Sequence, residues 1–372
     1  MKNLIFITTY KVGLKKDGIS KKLLNQIKAF EDLGVQVDFI HRTQSGVKIR
    51  IGGKEVYKDG FLLSRLFFLV YCAYIILKKN YDFFYLRNIY LEPAVIFYPI
   101  FIALTINAVK IRVLEIPTYP FDGEVHGWLN KIYFVYYNLI RFLFFSRYFN
   151  IITYMGEFQS NIWGVKSIRL INSVNLNKIL PKSQSYNVDV VKVIGVAGLQ
   201  FWHGYDRLVK GLYDYKKMGL NPKYEFHIVG DQEPEFSNLR KLVKKLELDD
   251  DVIFHGALYG AELDRLFDNM DIAVDSIGRH RSGLDYNCSI KSKEYTARNI
   301  PFIKSHKDDS FEGKKFVFNI EANDENVDIK KINSWFNNLK LEKSEMRKHA
   351  ESNFSWKLQM KKVLDNANFI ER

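Results

Sequence analysis

The sequence predicts an α/β protein of two domains, each an open parallel sheet covered by helices, facing each other across a cleft. Three observations carry this expectation. The chain has 372 residues, and a single hydrophobic core rarely grows past about 250–300 residues. Runs rich in β-branched residues alternate with runs of helical period, the pattern of a parallel sheet covered on both faces. The alternation halts at the polar stretch LPKSQSYNVD (180–189) and restarts at KVIGVAG (192–198). The expected division is therefore a first domain over 1–186, a second over 187–345, and a C-terminal helix over 346–372 that packs back toward the first domain.

The elements follow in order. LIFITTY (4–10) reads as a buried strand; it lacks the cationic segment and small-residue cleavage site of a secretory signal. GISKKLLNQIKAFEDLG (18–34) has apolar residues at 19, 23, 24, 27 and 30 and ends at Gly34, a helical spacing with a glycine stop. VQVDFI (35–40), FFYLR (83–87), IRVLEI (111–116) and IITYM (151–155) complete the first set of strands. In the second half the strands are 192–198, 224–231, 251–258, 271–277 and 301–305. The helices between them are 205–219, 234–248, 261–270 and 290–299. DDD at 249–251 reads as a solvated loop. Two facing sheets of this kind direct their strand ends, and hence their ligands, toward one cleft.

Composition narrows the function. Cys72 and Cys288 stand one in each half, which excludes metal-type and CxxC redox spacings and fits a reduced, cytoplasmic compartment. Residues 1–186 hold 25 basic and 12 acidic side chains, so the whole net charge of +13 lies in the first half. Such asymmetry implies an anionic partner. FLLSRLFFLVYCAYIILKK (61–79) and KIYFVYYNLIRFLFFSRYF (131–149) decide for an anionic membrane surface over nucleic acid. Arg65 interrupts the first and Lys78–Lys79 close it, while Lys131, Arg141 and Arg147 punctuate the second. Both suit helices lying on a bilayer surface rather than crossing it. The alternative is that they are core helices with snorkelling basic ends. No histidine pair at helical spacing and no DxD after a strand suggests a metal.

Beyond these readings, the order of GISKKLLNQIKAFEDLGVQVDFI, IRLINSVNLNKI, WHGYDRLVKGL, EFHIVGD, VIFHGAL and IKSKEYTARNIPFI resembles the retaining glycosyltransferases of GT-B fold known as family four. EIPTYPFDGE (115–124) resembles a segment of bacterial surface polysaccharide transferases. The resemblance implies two facing Rossmann-like domains and transfer of a hexose from a nucleotide diphosphate sugar, a UDP-sugar, to a hydroxyl of a growing glycan. The acceptor it suggests is attached to a polyprenyl diphosphate lipid. The enzyme would be peripheral on the inner face of the membrane and would need no cofactor beyond the sugar nucleotide itself. Retention would proceed by front-face displacement. A protein-directed transferase, a sugar-nucleotide epimerase, and a non-catalytic partner subunit with a degenerate donor site remain alternatives.

Site residues follow from the same resemblance. Glu294 takes the position of the glutamate that accepts hydrogen bonds from the ribose; Ser289 caps its helix, and Lys291 and Lys293 add charge for the diphosphate. A second family glutamate, eight positions earlier, is replaced by Tyr286, with Asp285 and Asn287 beside it. The usual lysine before the glycine is His203, followed by Gly204, and the usual arginine is Gly198. A histidine carries charge only when protonated, so Arg279 and Arg281 are the expected replacements, with Trp202 lining the pocket. Gly18 would approach the donor from the first domain. His126, Asp285 and Glu294 are the catalytic candidates, and Glu115, Asp122 and Glu124 the acceptor contacts.

Overall fold

The computed structural model describes residues 2–13, 18–121, 127–182, 189–342 and 344–370. The chain forms two compact units, residues 1–173 with 356–372, and residues 174–355. The first division falls at 173/174 rather than 186, and the returning segment begins at 356 rather than 346. The intervening helix, which includes Arg347, stays with the second unit because Arg347 donates to the carbonyls of Leu176, Ile179 and Ala297.

In the first unit the elements run β1 (Asn3–Lys11), α1 (Gly18–Asp32), β2 (Gln36–Arg42), β3 (Gly46–Ile51), β4 (Lys54–Asp59), α2 (Phe61–Arg65), α3 (Phe68–Lys78) and β5 (Phe83–Arg87). They continue with α4 (Tyr98–Thr105), β6 (Ile111–Tyr119), α5 (Trp128–Ile140), α6 (Ser146–Tyr148), β7 (Ile151–Gly156), β8 (Asn161–Ile162) and β9 (Val165–Arg169). Strand order is β4-β3-β2-β1-β5-β6-β7-β9-β8. The antiparallel β3–β4 hairpin was not foreseen as strands. Its turn is Gly52-Gly53, with φ of 54° and 79°, the left-handed pair that two-residue hairpins require.

Alternation along β1 divides the core. Ile5 and Ile7 face one cluster with α3, α4 and α5; Leu4 and Phe6 face another with Leu23, Ile27 and Phe30 of α1. That second cluster is completed by Trp356, Met360, Val363 and Ala367, one stripe of the last helix, α13 (Trp356–Ile370).

The second unit runs β10 (Val190–Val196), α7 (Tyr205–Lys217), β11 (Lys223–Val229), α8 (Glu235–Lys245), β12 (Val252–Phe254), α9 (Ala261–Phe267) and β13 (Ile272–Val274). It closes with α10 (Ile290–Ala297), β14 (Phe302–Lys304), β15 (Val317–Asn319), α11 (Ile329–Asn337) and α12 (Glu345–Asn353). All six strands pair in parallel, in the order β12-β11-β10-β13-β14-β15. Asp251 is no solvated loop residue. It is buried and accepts from Lys216 at 2.7 Å, with Lys223 at 3.5 Å. Among the described residues no helix is long and apolar enough to cross a membrane.

Candidate functional site

Strand order locates the site in the second unit. The chain starts in mid-sheet at β10, builds outward through β11 and β12, then returns to the other side of β10 with β13. The strand ends therefore part at β10 and β13, and open α/β sheets bind ligands in the crevice at such a switch point. Two loops meet there. After β10, residues 201–203 form a single 3₁₀ turn and Gly204 opens α7 with φ of 69°. After β13, residues 279–282 form another such turn.

The loops are joined by backbone. The Ile277 amide donates to the His203 carbonyl at 2.9 Å. A Cβ on Gly204 would stand 2.6 Å from the Gly278 nitrogen. Gly204 is thus needed for loop-to-loop packing as well as for its left-handed backbone.

His203 is held in one tautomer. The Gln200 amide donates to its Nδ1 at 3.1 Å, which leaves the ring proton on Nε2. Burial first, then the nearby charges of Lys291 and Arg279, lower its pKa to about 2. The His203 side chain is therefore a neutral N–H donor. Beside it the Arg279 guanidinium lies 5.8 Å over the Trp202 ring.

Arg281 does not serve as expected. It clamps Asp206 through two bonds of 2.7 and 3.1 Å and also donates to Asp324 and the Phe201 carbonyl. This ion pair ties the two loops together and commits the guanidinium to the protein.

At the N-terminus of α10 the expected anion site holds an internal anion. Asp275, fully buried at the end of β13, receives Lys291 Nζ at 3.1 Å and the Ser292 hydroxyl. Burial pushes its carboxyl pKa up, but Lys291, His306 and hydrogen bonds from Ser292 and Ser289 outweigh that and hold it well below the usual range. Ser289 caps the helix, its hydroxyl accepting from the Lys291 amide at 3.2 Å. Lys291 keeps 22% of its side chain exposed, enough to reach a ligand while anchored to Asp275 and to Ser276 at 3.3 Å.

Lys293 must be removed from the donor set. It is wholly buried, ion-paired with buried Asp308, and its ammonium lies 4.7 Å from the Phe311 ring centroid. Glu294, one residue on, is 28% exposed. Its Oε1 accepts from Arg298 at 2.9 and 3.2 Å, while Oε2 has no protein partner among the described residues. Arg298 is itself fixed by Asp264 at 2.5 Å, so Glu294 is a braced carboxylate with one open oxygen. Asp285 is exposed, and its loop is pinned to Lys307, whose amide donates to the Asp285 carbonyl and whose carbonyl accepts from the Asn287 amide. A cavity of about 560 Å³ opens one strand away, lined by residues that include Lys304, His306, Lys307 and Lys314.

In the first unit, Glu115 is also a correction. It is 1% exposed, with Arg87 at 3.3 Å, Lys22 at 3.8 Å and Gln26 donating at 3.2 Å, so it is an internal anchor beneath the strand ends and not a contact for an acceptor. Gly18 begins α1 and is exposed. Asp122, Glu124 and His126 lie outside the described residues, as do Leu14 to Asp17 of the loop before Gly18. Among the described residues no group of three or more His, Cys, Asp or Glu side chains is placed to hold a metal. Asp275, Asp206 and Gln200 were not singled out by the sequence. Their signal was there only as polar residues placed at strand ends and turn starts.

Comparison with known proteins bears on this arrangement. Residues 178–277 match the family model described as glycosyl transferases group 1. The segment spans the linker, the His203 loop and β13 up to Ile277. The whole chain is similar to a glycosyltransferase from Rickettsia africae (16% identity, 100% of this chain and 99% of that one, TM-score 0.68). It is also similar to sucrose-phosphate synthase of Thermosynechococcus elongatus (14%, 98% and 99%, TM-score 0.68). A third is Anabaena HepE in complex with UDP (14%, 99% and 100%, TM-score 0.62). No curated protein matches the sequence significantly. The likeness establishes the GT-B fold, with two Rossmann-like units, and the family match supports a glycosyltransferase.

Proposed function

We propose that the protein is a retaining, metal-independent hexosyltransferase that uses a UDP-sugar. The acceptor is a hydroxyl of a growing surface glycan carried on a polyprenyl diphosphate lipid at the cytoplasmic face of the membrane. The observation that carries the reading is the switch point between β10 and β13, where the loops of His203 and Arg279 meet and Lys291 reaches Asp275 and Ser276 at the end of β13, with Glu294 three residues on in α10. A solved neighbour with UDP bound, HepE, shares the fold.

The chemistry follows from these groups. Glu294 Oε2 accepts from the ribose hydroxyls. His203 Nε2–H donates to a diphosphate oxygen, and Lys291 and Arg279 supply the fixed charge that a departing diphosphate needs. The bond from the anomeric carbon to the phosphate oxygen breaks as the acceptor oxygen bonds to that carbon on the same face. The acceptor proton passes to the leaving phosphate, so UDP and the glycoside are the products. Incubation with a panel of UDP-hexoses and a polyprenyl diphosphate glycan, followed by UDP release and product anomer, tests this. UDP release with an α-linked product from an α-linked donor is expected. No turnover with any donor, or an inverted product, would overturn it.

A second reading has specific support. Asp275 fills the α10 N-terminus, and Arg281 and Lys293 are consumed by internal ion pairs. These features suit a partner subunit that binds a glycan or protein without transfer. Nucleotide binding without donor hydrolysis or transfer would favour it.

A further inference from the structure

We propose that the outer face of the helical layer formed by α3, α4 and α5 inserts into the headgroup boundary of an anionic lipid bilayer. The proposal gives the lipid-linked acceptor of the preceding section its physical setting and rests on that reading only for its purpose.

The three helices cover one face of the first sheet. Phe68, Cys72 and Ile76 of α3, Phe101 of α4, and Tyr137 and Ile140 of α5 point into that core. The layer is continuous, since the Tyr136 hydroxyl donates to the Ile96 carbonyl at 3.1 Å and α3 packs on α4. A helix covering a sheet needs only one apolar side, yet these are apolar on the outer side too. Ile96, Ile100 and Leu104 recur at four-residue spacing in and just before α4, all exposed. Trp128, Ile132, Val135, Leu139 and Phe142 form a second outward stripe, with Trp128 70%, Val135 69% and Phe142 83% exposed.

The end of α5 is built for this exposure. Residues Arg141–Phe145 form a π-helical turn, which inserts a residue and shifts the helical register. Phe142, Leu143 and Phe144 are all exposed, and Phe145 returns to the core. Three consecutive exposed apolar residues therefore project from a helix that is otherwise anchored.

Charge selects the occupant. Residues 61–79, 93–110 and 127–150 contain seven Lys and Arg and no Asp or Glu. A second copy of the same face would bring like charges together, whereas anionic headgroups complement them. The aromatic and aliphatic stripe flanked by bases is the composition of a helix lying in the interface plane. Arg141 is not among the lipid contacts, because its guanidinium lies 4.5 Å over the Trp163 ring. Lys131 and Arg147 are exposed.

Flotation of the full-length protein with vesicles of equal parts phosphatidylglycerol and phosphatidylcholine, and with phosphatidylcholine alone, tests the proposal. Binding to the anionic vesicles that falls as salt rises is expected, with little binding to the neutral ones. Phe142→Ser with Val135→Ser should weaken partitioning about tenfold or more, and Lys131→Glu with Arg147→Glu should abolish the anionic preference. UDP titration and far-UV dichroism on the same variants report donor binding and fold separately. No flotation at low salt, or flotation unaffected by both pairs, would overturn the proposal and leave the donor reading standing. So would salt-independent dimers that Phe142→Ser dissolves, because they would identify a second copy as the cover.

Discussion

The two units share a parallel-sheet plan but treat the outside of their helices differently. On α7 the inward positions Leu208, Val209 and Leu212 are buried and the outer side carries Lys210, Asp214 and Lys217. On α5 both sides are apolar. Among the described residues, 22 large hydrophobic side chains are exposed in the first unit and 5 in the second. Covering a sheet does not require the excess, which is why the first unit's outer apolar face is proposed to meet a bilayer. The charged groups differ in where they stand. Both units bury ion pairs, Glu115 with Arg87 in the first and Lys293 with Asp308 in the second, but in the second they stand beside the strand ends where a charged ligand is proposed to sit, and Lys291, paired with Asp275, stays partly exposed there.

The contrast can be broken first at the buried pair. Asp308→Ala removes the carboxylate that pairs with the wholly buried Lys293 ammonium. Loss of one partner from such a pair costs about 3–5 kcal/mol, and urea denaturation should show it. A loss below about 1 kcal/mol would mean that the ammonium finds water or another partner, and that this unit's interior is less closed than described.

Next comes pH. Burial lowers the pKa of His203 to about 2 and of His227 and His306 to about 4, all in the second unit. These imidazoles are neutral in the folded protein. Below the unfolded value, about 6.5, the unfolded chain binds protons that the folded chain refuses, so stability is present at neutral pH and lost as pH falls. The loss should approach about 1.4 kcal/mol per pH unit for each histidine at most, between about 6.5 and 4 for His227 and His306. Denaturation at pH 7 and pH 5 should show the drop, and His306→Gln should shrink it. A midpoint equal at both pH values would contradict the burial of these rings.

The smallest effect sharpens the other half of the contrast. Val135→Ser or Leu139→Ser should change stability within about 0.5 kcal/mol, since neither side chain packs on the core. A loss of 2 kcal/mol or more, about that of a buried aliphatic side chain, would place this face inside the fold.

Much of this was legible because strands and helices announce themselves locally. IIT, KVIGV and the glycine stops at Gly34 and Gly219 mark their own elements. The β3–β4 hairpin was missed although Gly52-Gly53 between KIRI and KEVYK is a turn signal. The site was only half legible, because its charges are settled by partners distant in sequence. Arg281 is claimed by Asp206, 75 residues away, and Lys291 by Asp275 from the neighbouring strand end. Lys293 was foreseeable in part. Two positions apart on a helix is a turn of about 200°, so Lys291 and Lys293 face opposite ways, and only one can look at a ligand. Glu115 was misread because β6 is buried on both faces, as strands of a covered parallel sheet are.

The central claim is that the β10–β13 switch point binds a nucleotide through Glu294. Its most direct test is calorimetric titration of UDP into the wild-type protein and Glu294→Ala, with thermal denaturation as a control for folding. Loss of a charged acceptor for the ribose should cost about 1.5–3 kcal/mol, a tenfold or greater weakening of UDP affinity in a protein that still unfolds cooperatively. UDP affinity equal in the two proteins, or no binding of UDP by the wild type, would contradict the assignment.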